Sequence, residues 1–162
     1  DRVLQVGDQC KIGEQIGAVE EISLRSTKIR TREGSLLAVP NGVMATINLE
    51  NLSNRKRYLF NPAISLRYET KAEKVLQGVE TIQGVLNEHA GVDPANLRVC
   101  FQGFGPSSLD VEVFAYILTN DYAKYVEIRQ QLLLQILCAL ESAGIGFAFP
   151  PQTFYLTRDS GA

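Results

Sequence analysis

LLAVPNGVMATIN, Leu36–Asn48, is apolar strand material that stops at Pro40-Asn41-Gly42 and then resumes. How that break is read decides the fold of the first third of the chain: either two units meet there, or one small barrel turns a corner. Pro40 lacks the N–H that a ladder needs, and Asn41 and Gly42 tolerate the left-handed backbone of a tight reversal. The reading adopted is a corner, one that brings ATINLEN (residues 45–51) back against an earlier strand. The surrounding sequence agrees. IGAVEEISL (16–24), STKIRTR (26–32) and SLLAV (35–39) are rich in β-branched residues and are separated or flanked by VGD, KIG, REG and PNG. Short, closely spaced strands of this kind suggest a small barrel or sandwich. In STKIRTR, Lys28, Arg30 and Arg32 share one face, and Ile29 and Thr31 share the other. The basic side therefore faces water or meets anions.

The remainder changes rhythm. AISLRYE (63–69) alternates, with Ile64, Leu66 and Tyr68 on one side. Thr70-Lys71-Ala72-Glu73 is a capping-box pattern that opens a helix, and Ala72, Val75, Leu76, Val79, Ile82 and Leu86 form its apolar stripe. AGVDP (90–94) stops it. LRVCFQGF and SLDVEVFAYILT read as a hairpin joined through GPS, with Leu109, Val111, Val113, Ala115 and Ile117 facing one way. A second helix spans about Asn120 to Gly144, with Tyr125, Val126, Leu133, Ile136, Leu137 and Leu140 inward. Extended structure, GIGFAFPPQTFYLT, ends the chain. Strand–helix–strand–strand–helix–strand is the ferredoxin-like order. The fold class is therefore α+β: a small β unit, then an α/β unit.

Composition narrows the function. The 162 residues are 45% apolar and 21% charged, with a net charge of −2. Residues 1–57 hold nine Lys/Arg and seven Asp/Glu, and the remainder is acidic by four. A nucleic-acid binder usually has a basic excess, so no nucleic-acid partner is expected. The rival reading, an RNA-binding protein built from Sm-like and ferredoxin-like modules, lacks the aromatic pattern that such a sheet carries; Phe101 and Phe104 do not supply it. No apolar run reaches the roughly 20 residues of a membrane span. The chain starts at Asp1 without a signal peptide and reads as a piece of something longer.

Catalytic and metal residues are expected to be absent. Cys10, Cys100 and Cys138 fit no disulfide or zinc spacing and read as reduced packing residues. His89, the sole histidine, ends the first helix, where an imidazolium would suit the dipole. Asp110 and Glu112 look like paired carboxylates, but their period-two context favours a solvent-facing edge. No cofactor is expected.

Two loose ends point to self-association. A β unit of some 57 residues buries only about 60% of its unfolded surface. QTFYLT follows Pro150-Pro151, and a strand carried off the sheet is unstable alone. A ring of copies settles both, each contributing one strand to a closing barrel.

Read in order, Gly7-Asp8, Gly17-x-Val19-x-x-Ile22, Ser26-Thr27-x-x-Arg30, Glu33-Gly34, Pro40-Asn41-Gly42 and Ile47…Asn51-x-Ser53 resemble the β domain of the small-conductance mechanosensitive channel (MscS) family. AGIGFAFPPQTFYL resembles the family's tail, with Ala148 at a usual proline and Pro151 as an apparent insertion. The resemblance implies an Sm-like β domain (1–54), a ferredoxin-like α/β domain (55–149) and a C-terminal strand (150–162) that joins an inter-subunit parallel barrel through Phe154, Tyr155 and Leu156. It implies a homoheptamer, attached to a membrane by N-terminal transmembrane helices that this sequence lacks. The ring would form a vestibule on the cytoplasmic side of a bacterial inner or organellar membrane, passing ions and osmolytes during hypo-osmotic shock. Gly7, Asp8, Gly17, Pro40, Asn41, Gly42 and Asn51 would be structural motif residues. Arg55, Lys56 and Arg57 are candidates either for a portal rim or for a solvated linker, and Lys28, Arg30 and Arg32 for an approach to anionic lipid.

Overall fold

The computed structural model describes residues 4–53, 55–150 and 154–156. The chain divides into two units, Asp1–Lys56 and Arg57–Ala162.

The first unit is one antiparallel sheet. Its strands are β1 (Gln9–Ile12), β2 (Gln15–Ile22), β3 (Ser26–Thr31), β4 (Leu36–Pro40) and β5 (Leu49–Asn51), and a single helical turn, α1 (Asn41–Met44), joins the last two. The spatial order is β4-β3-β2-β1-β5, so strands consecutive in sequence lie at opposite edges. The resumed apolar run does return to an earlier strand: Leu49 pairs with Ile12 and Asn51 with Cys10. The core is small. Cys10, Val19 and Ile29 are buried, with Leu4, Ile12, Leu37, Met44 and Leu49 packed around them.

Three expectations need correction here. First, QCKI forms β1, although its flanking glycines read only as turn signals; four residues are too few for periodicity to show. Second, the Pro-Asn-Gly corner is a helical turn and not a left-handed reversal. Pro40 is the extended last residue of β4, with φ −57° and ψ 137°, and Gly42 is absent from the positive-φ glycines. Third, Cys138 does not pack inside; it is exposed.

The second unit comprises β6 (Tyr58–Phe60), β7 (Ala63–Arg67), α2 (Ala72–Glu88), β8 (Arg98–Phe104), β9 (Ser108–Ile117) and α3 (Tyr122–Ser142). The ten-residue β9 is central. β6 and β7 pair with successive parts of it, and β8 lies on its other side. Beyond β7, the chain after α3 adds a short antiparallel bridge. Leu66 pairs with Phe147, Arg67 N donates to the Gly146 carbonyl at 3.0 Å, and Ala148 N donates to that of Ser65 at 2.9 Å. Both helices cover one sheet face. Buried there are Ile64 and Leu66 of β7, Leu109, Val111, Val113, Ala115 and Ile117 of β9, and Ile82, Leu86, Ile128, Leu132, Ile136 and Leu140 of the helices. Strict alternation along β9 places Leu109, Val111, Val113, Ala115 and Ile117 on the helix side, as the sequence suggested.

The helix faces differ in detail. In α3 the buried line is Ile128, Leu132, Ile136 and Leu140, while Leu133 and Leu137 stay 39% and 37% exposed. A run of three leucines cannot reveal which one points inward. Leu76 and Tyr68 are exposed too, Tyr68 because β7 ends at Arg67. The capping box is not made: α2 starts after Lys71 with no side-chain cap. At α3 the Asp121 carboxylate does cap, accepting from Ala123 N at 3.0 Å, in line with Asp at an N-cap. Among the described residues no helix is long and apolar enough to cross a membrane.

Candidate functional site

The motif residues of the first unit are latches. Gly7 turns with φ +95°, a conformation glycine adopts without a Cβ penalty. Its N–H donates to the Val19 carbonyl, and Val19 N donates to the Asp8 carbonyl, both at 2.8 Å. Asp8 Oδ2 accepts from Gln5 N at 2.9 Å and from Asn51 Nδ2 at 3.0 Å. Asn51 Oδ1 accepts from Ser53 N at 3.0 Å, and Ser53 Oγ accepts from Gln9 N at 2.7 Å. The GD and N-x-S elements, more than forty residues apart, therefore tie the entry of β1 to the exit of β5. The Asp8 charge adds to burial in pushing the Cys10 thiol above its ordinary range.

Asn41 makes the second latch. Its Oδ1 accepts from the buried Thr27 hydroxyl at 2.9 Å, its Nδ2 donates to the Ser23 carbonyl at 2.8 Å, and its N–H donates to the Arg25 carbonyl at 2.9 Å. The short helix α1 is thereby pinned to the β2–β3 connection. Pro40, directly before it, ends β4 opposite Ser26. At Gly17, a Cβ would sit 2.5 Å from the Arg30 carbonyl oxygen and 2.7 Å from Ile29 Cγ2. Only glycine permits this approach of β2 to β3. At Gly42 nothing lies within 4 Å.

The basic face of β3 is not bare. Lys28 Nζ meets Glu21 at 2.7 Å. Arg30 holds both oxygens of Glu20, at 2.9 Å through Nε and 3.2 Å through Nη2, which keeps that carboxyl below its usual range. These pairs are half exposed, and solvent screening leaves surface ion pairs of this kind with little net effect on stability. Their effect is to neutralise two of the three cations expected to meet lipid.

In the second unit the helix-free sheet face carries cations on aromatic rings. The Arg57 guanidinium lies 3.7 Å from the Tyr116 ring centroid and donates to Asp93 at 3.5 Å. Arg98 lies 4.8 Å from the Phe114 centroid and donates to Glu112 at 2.8 Å. Glu112 is held below the ordinary carboxylate range first by that hydrogen bond and then by the Arg98 charge. For Asp93 the main causes are Asn96 Nδ2 and Ala95 N–H, with Arg57 a smaller one. Asp110 accepts from Ser65 Oγ at 3.0 Å and Ser108 Oγ at 2.8 Å. The two β9 carboxylates thus each have their own partners and do not form a shared acid–base pair. His89 sits at the C-terminus of α2, with Nδ1 accepting from Gly91 N at 3.0 Å and Nε2 against Gln131 Oε1 at 3.1 Å.

Of the rim candidates, Arg55 is half-buried with its N–H on the Leu52 carbonyl, Lys56 is exposed, and Arg57 is fixed by Tyr116 and Asp93. Phe154, Tyr155 and Leu156 are almost fully exposed and take no part in a sheet of this chain. Residues 151–153 and 157–162 of the expected terminal strand lie outside the described residues, as does Asn54 at the expected domain boundary. The alternation rule located the strands; the latches were visible only as short polar motifs whose partners lie across the sheet.

Comparison with known proteins bears on this arrangement. Residues 1–54 match the family described as mechanosensitive ion channel, beta-domain, and residues 61–147 match mechanosensitive ion channel MscS, C-terminal. An MscS family protein of Aquifex aeolicus is 35% identical over 159 residues, covering 98% of this chain and 43% of that protein. The large-conductance mechanosensitive channel MscMJLR of Methanocaldococcus jannaschii is 33% identical, covering 98% and 45%. The low conductance mechanosensitive channel YnaI of Escherichia coli is 35% identical, covering 96% and 46%. The chain thus spans less than half the length of these relatives. In fold it matches closed-state MscS of Helicobacter pylori, with a TM-score of 0.81 at 21% identity over 98% of this chain and 61% of that one. Arabidopsis thaliana MSL1 gives a TM-score of 0.84 at 18% identity, covering 92% and 54%.

Proposed function

Because this chain belongs to the MscS family of mechanosensitive ion channels, we propose that it forms the wall of a vestibule on the cytoplasmic side of a tension-gated channel. In this reading residues 1–54 are an Sm-like barrel, residues 55–149 a ferredoxin-like domain and residues 150–162 a strand of an inter-subunit barrel. Seven copies enclose the chamber, and preceding transmembrane helices supply the gate. Ions and small osmolytes leave through the ring under hypo-osmotic tension.

The observation that carries the proposal is similarity to named mechanosensitive channels along nearly the whole chain, in which the matched region is under half of each relative. The topology supports the domain assignments. The run order 146–148, β7, β9, β8 is that of a ferredoxin-like sheet. The five-stranded sheet with consecutive strands at its two edges suits a small closed barrel. The chemistry required is electrostatic filtering, effective within a Debye length of about 8 Å at physiological salt. Arg57, held rigid by Tyr116, is the cation best placed to act as a fixed rim charge. The RNA-binding alternative draws no support from these relatives, and carboxylates occupy the sheet face it would use.

The test is patch-clamp recording of the full-length gene product in cells stripped of their own tension-gated channels. Suction-activated current is expected, with anion preference lowered in Arg57→Glu. Absence of such current from well-expressed wild-type protein refutes the channel reading.

A further inference from the structure

Each helix of the second unit carries a charge-free stripe on the flank turned away from the other helix. On α2 it is Ala72, Leu76, Val79 and Gln83; on α3 it is Val126, Gln130, Leu133 and Leu137. Both follow the spacing i, i+4, i+7, i+11, the repeat of a helix–helix seam. All the charged residues of α2, Glu73, Lys74, Glu80 and Glu88, lie off its stripe, and so do those of α3, Lys124, Glu127, Arg129 and Glu141. What sets these flanks apart is exposed apolar surface: Leu76 on α2, and Leu133 and Leu137 on α3, are all open to solvent in the single chain.

The internal contacts fix which flank is which. Lys74 Nζ donates to the Ala143 carbonyl at 2.8 Å, and His89 Nε2 meets Gln131 Oε1. Lys74 and Gln131 therefore mark the sides on which α2 and α3 face one another, and they place the start of α2 beside the end of α3, antiparallel. Counting at about 100° per residue, Leu76 and Val79 lie across the buried line of α2 from Lys74, and Leu133 and Leu137 lie across that of α3 from Gln131. The α2 flank is moreover concave. Between α2 and β8 runs an apolar groove of about 610 Å³ that includes Leu76, Val79, Val99, Phe101 and Phe104, the two rings in edge-to-face contact at 5.4 Å. Phe104 is 76% exposed.

A groove on one side and a leucine ridge of matching spacing on the other make a head-to-tail pair of surfaces. We propose that the α3 ridge of one copy seats in the α2–β8 groove of the next, with Leu76 opposite the next copy's Leu133 and Ala72 opposite its Leu137. Because α2 and α3 are antiparallel within a copy, copies set side by side in one orientation bring the two stripes together antiparallel. The proposal rests on the ring reading above and assigns the surfaces that join it.

The experiment uses full-length protein in membranes, with Cys10, Cys100 and Cys138 changed to Ala, and carries Leu76→Cys together with Leu133→Cys. Mild oxidation is expected to yield a ladder of cross-linked multimers, while either cysteine alone yields monomer. On native gels Leu133→Glu is expected to lower the multimer fraction at least several-fold, and Leu76→Lys with Leu133→Glu to restore it. Tension-activated current without a ladder and without charge-pair rescue overturns this interface and leaves the channel reading standing. A ladder in membranes that show no such current supports the interface and overturns the channel reading.

Discussion

Gly17 and Gly42 both belong to the glycine pattern of the β domain, and the structure separates them sharply. A Cβ on Gly17 meets a backbone oxygen at 2.5 Å and a core methyl at 2.7 Å. Neither is the far end of a flexible side chain, so β2 and β3 must part. Overpacking of this kind costs about 1–3 kcal/mol. A Cβ on Gly42 meets nothing within 4 Å, and the residue lies in a helical turn without positive φ. Replacing glycine by alanine in helical backbone typically gains about 0.5–1 kcal/mol. Gly17→Ala is therefore expected to speed hydrogen exchange of the β2–β3 amides by about 5- to 150-fold where exchange follows opening of this sheet, and Gly42→Ala to leave it unchanged or slower. Mass spectrometry of the exchanged full-length protein reads both variants at once. Equal effects, or a larger loss at Gly42, would refute the close-approach argument and return the Pro-Asn-Gly corner to a left-handed turn.

Other outcomes follow from single side chains. Leu132→Ala, at a fully buried site, should destabilise the second unit by about 2–5 kcal/mol, whereas Leu133→Ala should change it by no more than about 0.5 kcal/mol in the unassembled chain; urea denaturation compares them. Asn41→Ala removes the acceptor of a buried Thr27 hydroxyl and should cost about 1–3 kcal/mol in the same assay. Glu112 has a depressed folded pKa, so the stability it adds is complete above the ordinary Glu value and fades as pH falls through the lowered one. Carboxyl-carbon NMR should find its midpoint below that of a free Glu, and Arg98→Gln should move it upward; no movement would sink the pairing.

The legible part of this protein was its local pattern. Alternation along Ser108–Ile117 identified five buried positions without any structure, because a strand's side chains have only two directions. The break at Pro40 was readable as a corner, since proline ends a ladder wherever its missing N–H is needed. Residue order alone also carried the family resemblance. Tertiary structure decided which of adjacent leucines points inward: Leu132, Leu133 and Leu134 have the same propensity, and the sheet beneath α3 selects the first. It decided as well that β1 exists, that Asn41 grips Thr27 and Ser23 in place of a left-handed turn, and that Asp8 meets Asn51 across the sheet. Those facts depend on groups 14 to 43 residues apart in sequence, and their meeting is set by strand register and packing, which no short window of sequence contains.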